Sequence, residues 1–219
     1  MSKIDYKAAM QELRMQRYKD IADYSKVVEL GVETMWQQLC DQVDSPDLDP
    51  VDLFADELEK LRDMEYSMKL MNICCLSETW EQDLFNFIKE KGLTDSNSND
   101  FFATRDTFER EYRGCRISSF PLIIEMRALV NAIKHGEGGS FANVRRLTRD
   151  SILADSNWGE MDENGNITRK KQIEFDGNTL TSRTLNVDGK IEKYSNEIIN
   201  FWKKVFEADK AKDAARTLE

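Results

Sequence analysis

Residues 51–91, VDLFADELEKLRDMEYSMKLMNICCLSETWEQDLFNFIKEK, decide the fold class. Apolar side chains recur in this stretch at intervals of three or four residues, which is the spacing of one face of an α-helix. The stretch contains no proline or glycine, and Gly92 follows it as a natural stop. It therefore predicts one long helix, which must pack along most of the molecule rather than lie on its surface.

Further helices are predicted on both sides of this one. Residues 4–43 show the same periodicity, and the segment DSPDLDP at 44–50 interrupts it with two prolines. Pro121 suits the first turn of a later helix, and a cluster of three glycines after His135 ends it. The shorter helices are predicted at 101–114, 121–135, 140–151 and 189–212, the last followed by a frayed tail.

The stretch from 159 to 188 has a different pattern, because turn pairs alternate with apolar and β-branched residues. Asn164-Gly165 and Asp176-Gly177 are the turn pairs, and we expect a β-hairpin that joins 167–175 to 179–187. The sequence therefore predicts an all-α fold, a helical bundle with two long helices and a small hairpin before the C-terminal helix. We expect one domain, 1–219, with an N-terminal helical extension (1–48), a helical core (49–156), the hairpin (159–188) and the C-terminal helix (189–212).

The composition favours a cytoplasmic protein that needs no cofactor. The 219 residues include 41 Asp and Glu against 31 Lys and Arg, and a net charge of −10 disfavours non-specific coating of nucleic acid. No stretch approaches the roughly 20 apolar residues of a membrane span, and the N-terminus lacks a signal-peptide core, so we expect no membrane contact. Four cysteines without a CxxC pair and a single histidine argue against a disulfide scaffold and a metal site. We expect the cysteines to be buried and reduced.

Residues 125–139, EMRALVNAIKHGEGG, form the one segment that predicts chemistry. Arg127, Asn131 and His135 recur every four residues, so they lie within an arc of about 80° on one helix face. A cation, an amide and an imidazole thus stand in a row beside an uncrowded backbone. Such a row is also typical of the solvated side of a helix, and a histidine near a helix C-terminus is favoured by the dipole. The spacing alone leaves both interpretations open.

This segment resembles the signature helix of the HEPN superfamily, helical proteins common in bacterial toxin and anti-phage systems. Many members are metal-independent endoribonucleases whose motif is an arginine, four to six residues, and then a histidine, often with an asparagine just after the arginine. Residues 70–92 resemble the long early helix of these proteins. The hairpin and the C-terminal KIEKYSNEIINFWKKVFE are similar to the C-terminal part of an abortive-infection-like subgroup. In this chain seven residues separate Arg127 from His135, and Asn131 comes four residues before the histidine.

The resemblance implies an RNA-cleaving effector of anti-phage defence or of a toxin–antitoxin pair, with an antitoxin or other defence protein as a partner. His135 would act as general acid or base, Arg127 would stabilise charge on the phosphate, and Asn131 would orient the histidine or the phosphate. Eight helical residues span about 12 Å, which is far for two groups on one phosphate. Both the distance and the resemblance therefore imply a homodimer with a composite cleft. The alternative is a catalytically inactive HEPN-like module, a dimeric binding or regulatory subunit.

Other charged residues predict supporting roles. Lys134 flanks the histidine, and Glu78 and Glu81 could reach the cleft from the long helix, although glutamates are more often exposed or paired. The densest basic clusters could contact an RNA backbone, but such clusters in an acidic protein usually form intramolecular pairs, which is the preferred interpretation. We expect the tryptophans Trp80, Trp158 and Trp202 to anchor the core. The basic clusters are Arg145, Arg146 and Arg149, and Arg169, Lys170 and Lys171 in the hairpin.

Overall fold

The computed structural model describes residues 3–43, 51–93, 100–135, 159–161, 167–170 and 187–217. This part of the chain is mainly helical, which confirms the all-α class. Two short 3₁₀ turns, Arg113–Cys115 and Ile117–Ser119, connect the third helix to the fourth. The elements in chain order are α1 (Lys3–Val43), α2 (Val51–Glu90), α3 (Phe101–Glu111), α4 (Pro121–His135), β1 (Gly159–Met161), β2 (Ile167–Lys170) and α5 (Lys190–Thr217).

The helix bounds agree with the sequence for α1, α2 and α4 and differ for α3 and α5. The prediction of α3 to residue 114 is wrong, because Tyr112 leaves the helical conformation and a 3₁₀ turn follows. The prediction of a frayed C-terminal tail is also wrong, since α5 continues to Thr217. Its last turns, KAKDAAR at 210–216, consist mostly of strong helix formers. The predicted helix at 140–151 lies outside the described residues.

The two strands form a short antiparallel pair. Glu160 lies opposite Arg169, and Gly159 lies opposite Lys170. The residues between the strands include the predicted Asn164-Gly165 turn but lie outside the described part. Residues 171–186 also lie outside it, so the expected pairing of 167–175 with 179–187 stays a prediction.

Gly92 ends α2 with a specific backbone arrangement. The N–H of Leu93 donates to the C=O of Ile88 at 3.1 Å, and the N–H of Gly92 donates to the C=O of Lys89 at 2.9 Å. These two bonds satisfy carbonyls that the end of a helix leaves unpaired, and they require a left-handed residue. Gly92 has φ 66°, a conformation that costs glycine little.

The chain divides into two compact units that are each built from separate segments. The first contains residues 1–23, 73–127 and 189–219, and the second contains residues 24–72 and 128–188. The expected single domain with its four parts stays a prediction.

Aromatic side chains fill the core of the first unit. Trp80 and Trp202 are completely buried, which confirms them as core anchors, and Phe87 packs edge-on to Trp202 with 5.6 Å between ring centroids. Trp158 lies outside the described residues. Other buried members of this core are Phe108, Tyr112, Phe201 and Phe206.

Polar groups in this core are hydrogen-bonded around the buried Tyr18. Its hydroxyl donates to Asp83 Oδ2 at 2.6 Å and accepts from Trp202 Nε1 at 3.1 Å. Arg17 donates to the other oxygen of Asp83 at 3.1 Å, and the Ser195 hydroxyl donates to the Tyr18 carbonyl at 2.8 Å. Burial raises the pKa of Tyr18, and the nearby Asp83 carboxylate raises it further. The hydroxyl therefore stays protonated and serves as a donor.

Cations surround a second buried carboxylate, Asp209 on α5. Lys7 Nζ lies 2.9 Å from Oδ2, Lys91 forms an ion pair with Oδ1, and the Tyr112 hydroxyl donates to Oδ1 at 3.0 Å. Burial by itself would raise the pKa of Asp209, but the bonds from Lys91, Lys7 and Tyr112 outweigh it and lower the pKa. The carboxylate is therefore ionised in the folded protein.

The cysteines of the first unit differ in exposure. Cys115 is buried and Cys74 is half-buried, whereas Cys75 is exposed, and all three are free thiols. The expectation of burial is therefore wrong for Cys75, because neighbouring residues on a helix point to different faces. Among the described helices, none is long and apolar enough to cross a membrane.

The second unit contains an apolar cluster on α2 and a groove beside it. Leu61, Tyr66 and Leu70 of α2 are buried. The Arg62 guanidinium lies 4.4 Å from the centroid of the Trp36 ring, and the two border a groove of about 270 Å³. Val32, Glu33 and Glu65 line the rest of it.

Candidate functional site

The predicted motif residues lie on α4, a continuous helix from Pro121 to His135. Ile123, Met126 and Leu129 are fully buried and hold its apolar face in place. The division into compact units falls after Arg127, which belongs to the first unit, whereas Asn131, Lys134 and His135 belong to the second.

The Arg127 side chain is held by two contacts in the first unit. Its Nε donates to Glu81 Oε1 at 2.8 Å, and its Cζ lies 3.3 Å from the centroid of the Phe101 ring. The side chain is only 19% exposed. The hydrogen bond fixes the position of the guanidinium and the stacking fixes its plane. Among the described residues, Nη1 and Nη2 have no hydrogen-bond partner.

The partners of Arg127 are themselves held by the fold. Phe101 begins α3, whose start is fixed because the Asp100 side chain accepts the Phe102 N–H at 2.9 Å. The Phe101 ring also lies 5.9 Å from the ring of Trp80, which is completely buried. Glu81 follows Trp80 on α2, so the core places both the carboxylate and the aromatic ring beside α4.

A buried ion pair fixes the start of α4 to α5. Glu125 Oε1 accepts from Lys190 Nζ at 2.6 Å and from the Tyr194 hydroxyl at 2.9 Å. Burial raises the pKa of Tyr194, and the Glu125 carboxylate raises it further, so the hydroxyl remains a donor. Since Glu125 is two residues before Arg127, this contact restricts the rotation and position of α4 near the arginine.

The motif residues of the second unit are more accessible. Asn131 is half-buried, and Lys134 and His135 are exposed at the end of the helix. The His135 imidazole lies near the last carbonyls of α4.

The other predicted residues are placed differently. Glu81 contacts Arg127, whereas Glu78 is exposed on α2. Arg145, Arg146 and Arg149 lie outside the described residues. Within the described ranges, no group of three or more His, Cys, Asp or Glu side chains is placed to hold a metal ion.

Sequence reasoning missed Phe101, although a signal was present. The pair Phe101-Phe102 comes at the first turn of α3, directly after the polar sequence TDSNSND (94–100), and Phe102 is 60% exposed. Two aromatic residues at an exposed helix start are unusual, because the first turn is usually polar. The pair indicated a contact surface, but not that Arg127 would lie on it.

Comparison with known proteins finds no matching family model, curated protein or solved structure. The resemblance of the motif to the HEPN superfamily therefore stays a prediction.

Proposed function

We propose that the chain is a HEPN-like, metal-independent endoribonuclease that acts in anti-phage defence or in a toxin–antitoxin pair. The observation that supports this most is the orientation of Arg127. Glu81 and Phe101 hold its guanidinium before any ligand binds, while the Nη edge has no partner among the described residues. A cation fixed in advance costs little to reorganise and can stabilise charge that develops on a phosphate.

In the proposed reaction, His135 removes the proton from a ribose 2′-hydroxyl. The 2′-oxygen attacks the adjacent phosphorus, the bond from phosphorus to the 5′-oxygen breaks, and that oxygen takes up a proton. Arg127 stabilises the charge on the phosphate, and Asn131 orients the imidazole or the phosphate. The products are a 2′,3′-cyclic phosphate and a 5′-hydroxyl. In this proposal two copies of the chain form the cleft, so that one supplies Arg127 and the other His135.

The test is incubation of the purified protein with bulk tRNA in EDTA, followed by analysis of the new ends. We expect cleavage with 2′,3′-cyclic phosphate ends, and a loss of about 10²–10⁴-fold in rate for His135→Ala. Lys19→Ala is the control, because Lys19 is exposed on α1 and also carries a positive charge. Full activity of the His135 variant would contradict the assignment.

A second candidate is supported by the same contact. Because the Glu81 carboxylate already pairs with Arg127, less positive charge remains to stabilise a phosphate. This favours a HEPN-like module that binds or regulates a partner without cleaving RNA. Glu81→Gln separates the two proposals, since the amide oxygen can still accept from Nε but carries no charge. A nuclease keeps or gains activity with this change. A binding module is inactive in both forms, while light scattering still gives twice the 25.5 kDa chain mass.

A further inference from the structure

The segment between α3 and α4 presents polar groups on a firmly held backbone. Cys115, Ile117 and Phe120 are buried, and the residues between them are exposed. The N–H of Cys115 donates to the Tyr112 carbonyl at 2.8 Å, and the N–H of Phe120 donates to the Ile117 carbonyl at 2.9 Å. The backbone that carries the exposed side chains is therefore held in place. These side chains belong to Arg113, Arg116, Ser118 and Ser119, and Gly114 leaves its backbone exposed among them.

The arginines of this segment form no ion pair within the part of the chain that the structure describes. No Asp or Glu occurs between Glu111 and Glu125. Arg113 and Arg116 are both exposed, and neither forms an ion pair with another described residue. Lys204 of α5 adds a third cation, since its Nζ lies 4.9 Å from the centroid of the Phe120 ring. We call these six residues, 113, 114, 116, 118, 119 and 204, the 113–119 surface.

The acidic side chains that precede this segment in the sequence already have hydrogen-bond or ion-pair partners. Glu109 Oε1 accepts the N–H of Ile117 at 3.0 Å. The Glu111 carboxylate lies 3.6 Å from Arg110 Nε and 3.8 Å from Lys212 Nζ. Glu207 on α5 is the remaining counter-charge. Burial raises the pKa of the Cys115 thiol, while Lys204 and Glu207 act on it in opposite directions, so both charges lie near this cysteine. The three cations of the surface exceed the two carboxylates that lie near it, Glu109 and Glu207.

The chemistry of the surface matches a phosphodiester backbone. Guanidinium, ammonium and hydroxyl groups are the donors that contact phosphates in nucleic-acid complexes. A Cβ built on Gly114 meets nothing within 4 Å, so a backbone can approach closely there. The exposed residues include no apolar side chain, whereas the centre of a protein interface is usually apolar. This composition favours RNA over an acidic protein.

We propose that the 113–119 surface binds the phosphates of an RNA strand and guides it to α4, which begins at Pro121 directly after the surface. This inference rests on the proposed function for the identity of the anion as RNA. It differs from the predicted clusters at 145–149 and 169–171 in its place in the chain, directly before α4.

The test measures binding of a fluorescein-labelled 2′-O-methyl oligonucleotide by fluorescence anisotropy. This probe has no 2′-hydroxyl, so it reports binding whether or not the protein cleaves RNA. We expect Arg113→Gln with Arg116→Gln to weaken binding about 20-fold at 0.1 M salt, and to reduce the slope of log affinity against log salt by about 1.4. Arg113→Lys with Arg116→Lys keeps both charges and is expected to stay close to the parent chain.

The matched control is Lys19→Gln with Lys193→Gln, which removes the same charge from two other exposed cations. We expect this pair to change affinity less than twofold. The proposal is overturned if the control loses as much affinity as the arginine pair, or if the parent chain does not bind the probe. Poly-glutamate that competes as well as unlabelled oligonucleotide of equal charge would point to an acidic protein and also overturn it. A chain that binds the probe through the two arginines but never cleaves tRNA removes the nuclease proposal and leaves this one standing.

Discussion

At the scale of single residues, several buried polar side chains in the first unit form hydrogen bonds with one another, although the Trp80 indole N–H has no partner among the described residues. Tyr18 is the clearest case, because one hydroxyl donates to Asp83 and accepts from Trp202. A buried donor or acceptor that loses its partner carries the full cost of its desolvation. The hydroxyl therefore contributes more to stability than one hydrogen bond at the surface.

Tyr18→Phe removes this hydroxyl and keeps the ring. We expect a loss of about 2–3 kcal/mol in the free energy of unfolding, because the indole N–H of Trp202 and one oxygen of Asp83 both lose a partner. Urea unfolding measures it. Tyr24→Phe, on the same helix, is the control, since the Tyr24 side chain is 62% exposed and its change is expected to stay within about 0.5 kcal/mol. Equal stability of the two variants would show that the buried network contributes little.

At the scale of elements, the ends of the helices depend on local backbone chemistry. Gly92 ends α2 in the left-handed conformation, and its carbonyl-capping bonds depend on that geometry. Gly31 lies instead inside α1 in ordinary helical conformation. A Cβ at either position meets no atom within 4 Å, so crowding does not decide the effect of a substitution there.

The same substitution is therefore expected to have opposite effects at these two glycines. Gly92→Ala should reduce the free energy of unfolding by about 1 kcal/mol, because a Cβ is strained at positive φ. Gly31→Ala should increase it by roughly 0.5–1 kcal/mol, because alanine loses less conformational freedom in a helix. Thermal unfolding followed by circular dichroism measures both. Changes of the same sign would contradict the assignment of Gly92 as the helix stop.

The elements also show what the sequence could predict. The bounds of α2 and α4 followed from uninterrupted apolar periodicity and from Pro121 and Gly92, all of which act within a few residues. The end of α3 did not follow, because the 3₁₀ turns depend on Cys115 and Ile117 being buried by other parts of the fold. The sequence also did not predict that Arg127 stacks on Phe101 while its Nε bonds to Glu81. Glu81 and Arg127 are 46 positions apart in the chain. Local patterns carry no information about such pairings.

At the scale of the whole molecule, the first unit joins three distant segments of the chain. Asp209 shows this in one place, because Lys7, Lys91 and Tyr112 all contact its carboxylate. Their bonds lower its pKa below the ordinary value of 3.8. A depressed pKa means that the carboxylate stabilises the fold above its unfolded pKa and that this contribution is lost as the pH falls through the folded pKa.

Asp209→Asn should therefore cost about 2–3 kcal/mol at pH 6, because the cations lose a buried counter-charge. The difference from the parent chain should begin to shrink below about pH 4, where Asp209 of the unfolded chain takes up a proton, and should be lost as the pH falls through the lower folded pKa. Urea unfolding at pH 6, 4 and 3 measures the difference. Asp213→Asn is the control, since Asp213 also pairs with Lys7 but is half exposed and should contribute less than about 1 kcal/mol. A constant difference down to pH 3 would exclude Asp209 as the source of the acid sensitivity.

Because the first unit contains three distant segments of the chain, some of its contacts form only late in translation. α1 is made early, yet Tyr18 meets Trp202 only after α5 has been synthesised, 184 residues later. At about 5–20 residues per second, this interval lasts roughly 10–40 s. Until then, Lys190 and Tyr194 are missing from the contact that fixes Glu125 at the start of α4. Any chemistry that depends on an anchored α4 therefore begins only after translation of α5, so under the proposed function a nascent chain would spare the RNA around it.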